Sequence, residues 1–336
     1  MRQRYLTSRL QGFGTTIFAE MSALAVATGS INLGQGFPDT DGPDEVLAAV
    51  AHAVSRGTGY NQYPPAIGYP ELRHAIADHQ QRFYGLAFDP DTEVLVTAGA
   101  TEAIASALLS LLETGDEVVA FEPFYDSYAA CIAMAGANRR PVTLVPGADG
   151  RFAFDPDRLR ASINARTRLI LLNTPHNPTG KVFTRDELQI VADLAIEHDL
   201  LVVSDEVYEH LVFDGEHVPI ATLPGMRERT ITIGSGGKTF NVTGWKVGWV
   251  TAPPELVTAV RTVKQFLTYV NSGPFQPAVA AGLRLPDSYY DTYTADLLAR
   301  RDHLCAGLDH AGLRVLRPEG TFFITADIRP LGEDDG

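Results

Sequence analysis

The sequence predicts an α/β fold, with a mostly parallel central sheet covered by helices on both faces and a smaller α/β domain beside it. Three observations carry this. From residue 93 onward, short apolar runs alternate with longer segments of helical period. Runs such as Leu169–Leu172 and Leu200–Val203 are continuously apolar, as strands buried on both faces require. Polar residues gather just after those runs, where sheets of this kind bind ligands.

Residues 1–42 hold few regular elements, and Gly29–Phe37 ends in a glycine-rich turn where backbone can approach a ligand. Pro43 opens a helix at its first position, and Glu71–Tyr84 has helical spacing. Strands follow at Glu93–Thr97, Glu117–Phe121, Arg140–Val145, Arg168–Leu172 and Leu200–Val203. Helices fall between them at Ala103–Leu112, after Tyr125, and from Thr184 to about His198, the last opened by a Thr184/Glu187 capping box. Strands at Ile231 and Val247–Ala252 complete the sheet. Helices are expected at Glu255–Tyr269, Pro274–Leu283 and Asp287–Ala311, then strands at Arg314–Leu316 and Thr321–Ala326. This divides into a large domain, 40–284, and a small one built from 1–39 and 285–336. One or two strands after a long helix rarely close a domain, so the sequence is expected to be C-terminally incomplete.

Composition narrows the function. The 336 residues are 45% hydrophobic and 20% charged, a globular balance. Acidic residues number 41 against 27 basic ones, a net charge of -14 without a basic block, which argues against nucleic-acid and anionic-membrane partners. Cys131 and Cys305 lie far apart and outside metal-binding spacing, which fits a cytoplasmic protein. Glu20 interrupts the most apolar N-terminal stretch, and neither a signal peptide nor a membrane span is expected. Asp205, Glu206 and His210 are metal-type ligands, but no second cluster completes a site, so no metal is expected.

The chemistry centres on Thr230–Val250, where a strand breaks into Gly234-Ser235-Gly236-Gly237 and presents Lys238, with Lys246 eight residues on. A nucleotide loop, a covalent amine site and a polar turn compete. Thr232 stands where a Walker loop needs glycine, and Ile233 where a nucleophile elbow needs one. A Schiff-base lysine, by contrast, belongs in a dry crevice that disfavours its ammonium form. Pyridoxal 5'-phosphate would need that lysine, a carboxylate against its ring nitrogen, phosphate donors and a stacking ring. Asp205 can supply the carboxylate, a pairing worth about 4 kcal/mol before desolvation. Ser235, Lys246 and the Gly99-Ala100-Thr101 turn can hold phosphate, and Phe124 can stack.

With these residues in place, the sequence resembles the class I/II aminotransferases of pyridoxal-phosphate fold type I. It is most similar to the kynurenine/glutamine transaminase and N-succinyldiaminopimelate aminotransferase groups. NLGQGFPD, NQYPPAIGYPELR, GATEAI, EPFYDSY, NTPHNPTGKV, SDEVYEHL and SGGKTFNVTGWKVGW occur in the family's order, and the likeness runs from about Gly12 to the end. The resemblance implies a ping-pong transfer of an amino group between an L-amino acid and a 2-oxo acid. It implies Lys238 as Schiff-base lysine and proton carrier, and Asp205 as the ring-nitrogen partner. Tyr208 and Asn177 would contact the ring oxygen, and Asn177 and Gly36 the substrate carboxylate. Phe124 would stack, and Ala100, Thr101, Ser235 and Lys246 would form the phosphate cup. Tyr63 would reach the phosphate of the neighbouring subunit in a homodimer. The family's carboxylate-binding arginine falls beyond Gly336, and Arg329 is not its substitute. Two alternatives remain at this point: a β-lyase on cysteine conjugates, and a cofactor-binding but inactive fragment or regulator. The amino donor is not fixed; Tyr125, Tyr128 and the segment around Phe13 are candidate pocket walls.

Overall fold

The computed structural model describes residues 5–34 and 39–332. In chain order the elements are α1 (Ile17–Thr28), α2 (Asp44–Ala53), α3 (Pro70–Tyr84), β1 (Val94–Thr97), α4 (Gly99–Leu111), β2 (Glu117–Glu122), α5 (Asp126–Met134) and β3 (Asn138–Thr143). The small hairpin β4 (Val145–Pro146) and β5 (Phe152–Ala153) follows, then α6 (Pro156–Ser162), β6 (Thr167–Asn173), α7 (Arg185–Glu197), β7 (Leu201–Asp205) and β8 (Thr230–Ser235). The chain ends with α8 (Gly236–Thr239), β9 (Gly248–Thr251), α9 (Pro254–Leu267), α10 (Phe275–Leu283), α11 (Asp287–His310), β10 (Arg314–Leu316) and β11 (Thr325–Asp327).

Local chemistry accounts for many boundaries. The Thr184 hydroxyl accepts from the Glu187 N–H while the Glu187 carboxylate accepts from the Thr184 N–H, the reciprocal cap read in the sequence. Pro70 occupies the first turn of α3, and Gly85 ends that helix in the left-handed region.

Seven strands form one sheet in the order β1-β9-β8-β7-β6-β2-β3. Neighbours from β8 through β3 pair in parallel, and β9 alone runs against β1 and β8. Strand parity sorts the core. Ile170, Leu172 and Val202 pack with α7 residues Leu188, Val191 and Ala195 on one face. Leu169, Leu171, Val203 and Ile231 pack with Ala103, Ile104 and Val260 on the other. Both faces are covered, which is why the strands read as unbroken apolar runs. The carboxyl ends of β1, β6, β7 and β8 then fall on one edge, beside the amino end of β9.

The structure departs from the sequence reading in several places, and the helix expected from Ala103 begins at Gly99, so the Gly99-Ala100-Thr101 turn is its first turn. The first 42 residues contain the 12-residue helix α1, capped by the Thr16 side chain and ended by Gly29 at φ 66°. Its sequence, IFAEMSALAVAT, is apolar nearly all round, so it lacks the one-sided stripe by which sequence reveals a helix, and none of its residues is buried. The expected Arg140–Val145 strand breaks after Thr143, and Val145 turns into the β4–β5 hairpin. The last strand starts at Thr325 rather than Thr321, because Thr321 sits at φ 66° and the chain before it bridges to Val212.

Behind the sheet edge, α3 meets the loop after β7 through a buried polar cluster. His79 comes from α3 to join Glu209 and His210, with ligand-type atoms within 4.8 Å of one another. The two imidazole Nε2 atoms are 2.7 Å apart, a hydrogen-bond distance. Burial, aided by nearby positive charge, holds both imidazoles neutral, His79 down to about 3. Burial pushes the Glu209 carboxyl up to about 7, against the opposing effects of Tyr84 and His217.

Glu209 therefore keeps a proton in the folded chain that the unfolded chain releases above its ordinary value of 4.5. Its stabilisation is full below that value and is lost as pH rises to about 7. Urea unfolding of the ligand-free chain across this range is expected to show stability falling with pH, by at most about 1.4 kcal/mol per pH unit from this one group. Glu209→Gln should flatten that part of the slope; an unchanged slope would show that Glu209 does not carry it.

Candidate active site

A cavity of about 900 Å³ opens at the carboxyl edge of the sheet. Four strand ends feed it. β6 brings Asn173 and, four residues on, Asn177; β7 brings Asp205 and then Tyr208; β8 brings Ser235 and then Lys238. Beyond β1, the start of α4 contributes Gly99, Ala100 and Thr101, and the entry to β9 contributes Lys246. Residues from 99 to 246 in sequence thus meet because parallel strands end together, while Gly36 lies outside the described residues.

The charged centre is Lys238 and Asp205. Burial lowers the Lys238 ammonium below its ordinary range; Asp205 opposes this and Lys246 adds to it. A lowered value favours the neutral amine, the nucleophilic form. Its Nζ lies 5.7 Å from the Tyr208 ring centroid and 5.4 Å from that of Phe322. Burial pushes the Asp205 carboxyl up to about 6, while a hydrogen bond from Tyr128, the Val207 N–H and Lys238 pull it back. The Tyr128 hydroxyl donates to Asp205 Oδ2 at 2.7 Å.

At the other end stands a set of hydrogen-bond donors. Ser235 Oγ and the amino end of α4 face Lys246, whose Nζ is 3.3 Å from Thr101 Oγ1. This closeness depends on glycine. Gly99 has φ 71°, and a Cβ there would meet Lys246 Cε at 3.1 Å. A Cβ on Gly248 would come within 2.6 Å of the Gly99 carbonyl carbon. Lys246 itself has φ 53°, a costly conformation for a residue with a side chain. Its carbonyl accepts from Ser272 Oγ at 3.3 Å, and Asn271 Nδ2 donates to the Thr97 carbonyl at 2.9 Å. The turn after α9 thus pins the cup from behind.

Sequence reasoning missed several of these supports. Asn173 donates to the Asp205 carbonyl at 2.8 Å and accepts from the Asn177 N–H at 2.7 Å, tying two strand ends together. Asn177 in turn lies against the Tyr208 phenol. Asn173 closes its strand as Asp205 does, so its position was a usable signal; Asn271 and Ser272 left none, being remote in sequence. The expected stacking ring needs correction. Phe124 does not line the cavity; its ring packs under the Arg139 guanidinium, 5.3 Å away. Tyr125 lines the cavity instead, because adjacent residues in extended backbone before a helix point in opposite directions. Tyr63 is also absent from the lining; it is 81% exposed and packs edge-on against Tyr269. Phe13 and Tyr128 do line the cavity, together with Phe18 and Phe323. Arg329 pairs with Asp327 at 2.5 Å.

The donor set fits pyridoxal phosphate. Backbone N–H groups, a hydroxyl and a cation suit a dianion at one end, a buried carboxylate suits a ring nitrogen, and a half-buried amine lines the same cavity. The comparisons agree. The profile of the family Aminotransferase class I and II matches residues 28–335. A probable N-succinyldiaminopimelate aminotransferase of Mycobacterium tuberculosis is 54% identical over 98% of this chain and 82% of its own length. Kynurenine–oxoglutarate transaminase 3 of Mus musculus is 40% identical over 97% of this chain and 75% of its own. The solved structure of N-succinyldiaminopimelate aminotransferase from Mycobacterium tuberculosis superposes with a TM-score of 0.95 at 53% identity, covering 98% of this chain and 85% of that one. The chain belongs to the class I and II aminotransferases and is a pyridoxal-phosphate-dependent transaminase of fold type I.

Proposed function

We propose that Lys238 is the lysine that carries the cofactor and moves the substrate's α-proton. The observation that carries this reading is a half-buried amine of lowered basicity beside a buried carboxylate in the cavity at the sheet edge. Pyridoxal phosphate supplies an aldehyde that condenses with amines and a cationic ring that takes up the electron pair left when a Cα–H bond breaks. Asp205 would hold the ring-nitrogen charge. Tyr208 and Asn177 would donate to the ring oxygen, with Asn177 and Gly36 also meeting the substrate carboxylate. Tyr125, rather than Phe124, would cover the ring face. Ala100, Thr101, Ser235 and Lys246 would hold the phosphate. Lys238 would be the base at the substrate α-carbon, its neutral Nζ accepting the α-proton and, as the ammonium, releasing it again, acting as base and then acid. The aromatic walls from Phe13, Phe18 and Phe323 exclude water from this step.

For the amino donor, the 54% identity to the N-succinyldiaminopimelate enzyme against 40% to the kynurenine enzyme favours N-succinyldiaminopimelate. The aromatic walls favour kynurenine as the second choice. A homodimer is supported by exposed apolar side chains at Ile17, Leu24, Val26 and Phe266, and by Tyr63, which stands outside its own subunit's cavity.

Lys238→Ala is expected to lose the absorbance band of lysine-bound cofactor and all turnover; retained turnover would sink the assignment. In a panel of donors with 2-oxoglutarate, followed by cofactor absorbance, N-succinyldiaminopimelate should give the highest kcat/KM. A higher value for kynurenine would replace it. Mixing Lys238→Ala and Tyr63→Ala subunits should restore about a quarter of the wild-type rate, since half of randomly paired dimers then hold one intact shared site. No recovery on subunit exchange would place Tyr63 outside the partner's site.

A further inference from the structure

We propose that Tyr128 is a positioning residue for Asp205, its phenol fixing the orientation and charge state in which that carboxylate meets the cofactor. The inference rests on the role proposed for Asp205 and adds a residue that acts through it.

The two side chains come from elements 77 residues apart, Tyr128 in the first turn of α5 and Asp205 at the end of β7. Tyr128 is 2% exposed and Asp205 4%, so solvent water does not stand in for the bond. Tyr125 packs edge-on against the Tyr128 ring with centroids 5.7 Å apart, which steadies the ring that carries the hydroxyl. The carboxylate has little else to orient it. Oδ2 accepts the Tyr128 hydroxyl at 2.7 Å, while Oδ1 has the Val207 N–H at 3.4 Å, too long to hold it firmly. Asn173 donates to the Asp205 carbonyl rather than to its carboxylate. The terminal torsion of an aspartate is soft, so one short, well-directed donor decides which way the carboxylate plane faces.

The same bond bears on charge. Facing Asp205 are Tyr128 from α5 and Tyr125 just before it, Lys238 from α8, and Glu206 and Tyr208 from its own strand end. The phenols stay neutral: burial pushes Tyr125, Tyr128 and Tyr208 up, the last two well above their ordinary value. Glu206 disfavours the Asp205 anion and Lys238 favours it. With burial already raising the carboxyl to about 6, loss of the phenol removes the largest opposing effect and moves the titration toward neutral pH. A protonated Asp205 no longer offers a countercharge to a ring nitrogen. Sequence reading assigned Tyr128 to the pocket wall; the geometry turns its hydroxyl away from substrate and onto the catalytic carboxylate.

The test is Tyr128→Phe, which keeps the ring and removes only the hydroxyl, made alone and together with Asp205→Asn. In the cofactor-free protein, carbon NMR of the Asp205 carboxyl should show its titration raised by about one unit in Tyr128→Phe. The cofactor dissociation constant should rise about ten-fold, as loss of one hydrogen bond to a charged group allows. The acidic limb of the half-reaction profile should move to higher pH. These losses should vanish when Tyr128→Phe is made on the Asp205→Asn background, because a residue acting through Asp205 has nothing left to act on. Equal losses in both backgrounds, an unmoved Asp205 titration, or a Tyr128→Phe chain that fails to fold each overturn the proposal in favour of simple packing. Wild-type cofactor binding and turnover in Asp205→Asn would instead overturn the role given to Asp205. Impaired Asp205→Asn beside an unimpaired Tyr128→Phe overturns the Tyr128 proposal alone.

Discussion

The structure depends on keeping two opposite charges, the half-buried Lys238 and the buried Asp205, side by side at the edge of the sheet. Desolvation acts on them in opposite senses. It lowers the lysine and raises the aspartic acid, and the charge of each opposes that effect on the other. Neither residue suits a core by itself. Their burial is tolerated because a parallel sheet ends there, with its backbone groups turned outward and polar side chains arriving from four strands at once. The apolar bulk on both faces of the sheet supplies the stability against which this costly edge is set.

The phosphate end is organised by steric permission. Gly99 and Gly248 let two backbone segments touch, and only then can Lys246 reach across to Thr101. Lys246 accepts a left-handed backbone to do so, and the turn after α9 holds it through Ser272. A strained residue braced from a distant segment is the pattern expected where position matters more than local comfort. Asn173 braces Asn177 and the end of β7 in the same way.

The N-terminal helix follows a different logic. It forms by local capping, yet buries none of its side chains within the subunit. Ile17, Leu24 and Val26 remain exposed, as do Phe266 and Leu267 at the end of α9. Exposed apolar groups in such number call for a covering surface. That need is the physical ground for reading the enzyme as a pair of subunits.

By itself the sequence determined the sheet, the helices around it and the identity of the charged residues. Unbroken apolar runs report burial on both faces, and a lysine after a buried strand reports a desolvated amine. Lys238, Asp205, Ser235, Thr101 and Lys246 were legible from the residues and Tyr208 and Asn177 through the family resemblance, and all seven meet in one cavity. What sequence left open was direction. Phe124 and Tyr125 are neighbours with similar rings, and only the backbone entering α5 decides that Tyr125 enters the cavity. Helix α1 was hidden because its apolar positions have no core to face within the subunit. The bonds from Tyr128 to Asp205 and from Asn173 to Asn177 needed tertiary structure, since which hydroxyl or amide a buried carboxylate or backbone N–H finds depends on where distant segments are packed. Sequence names the groups that titrate and react; packing sets the distances that decide how strongly they do so.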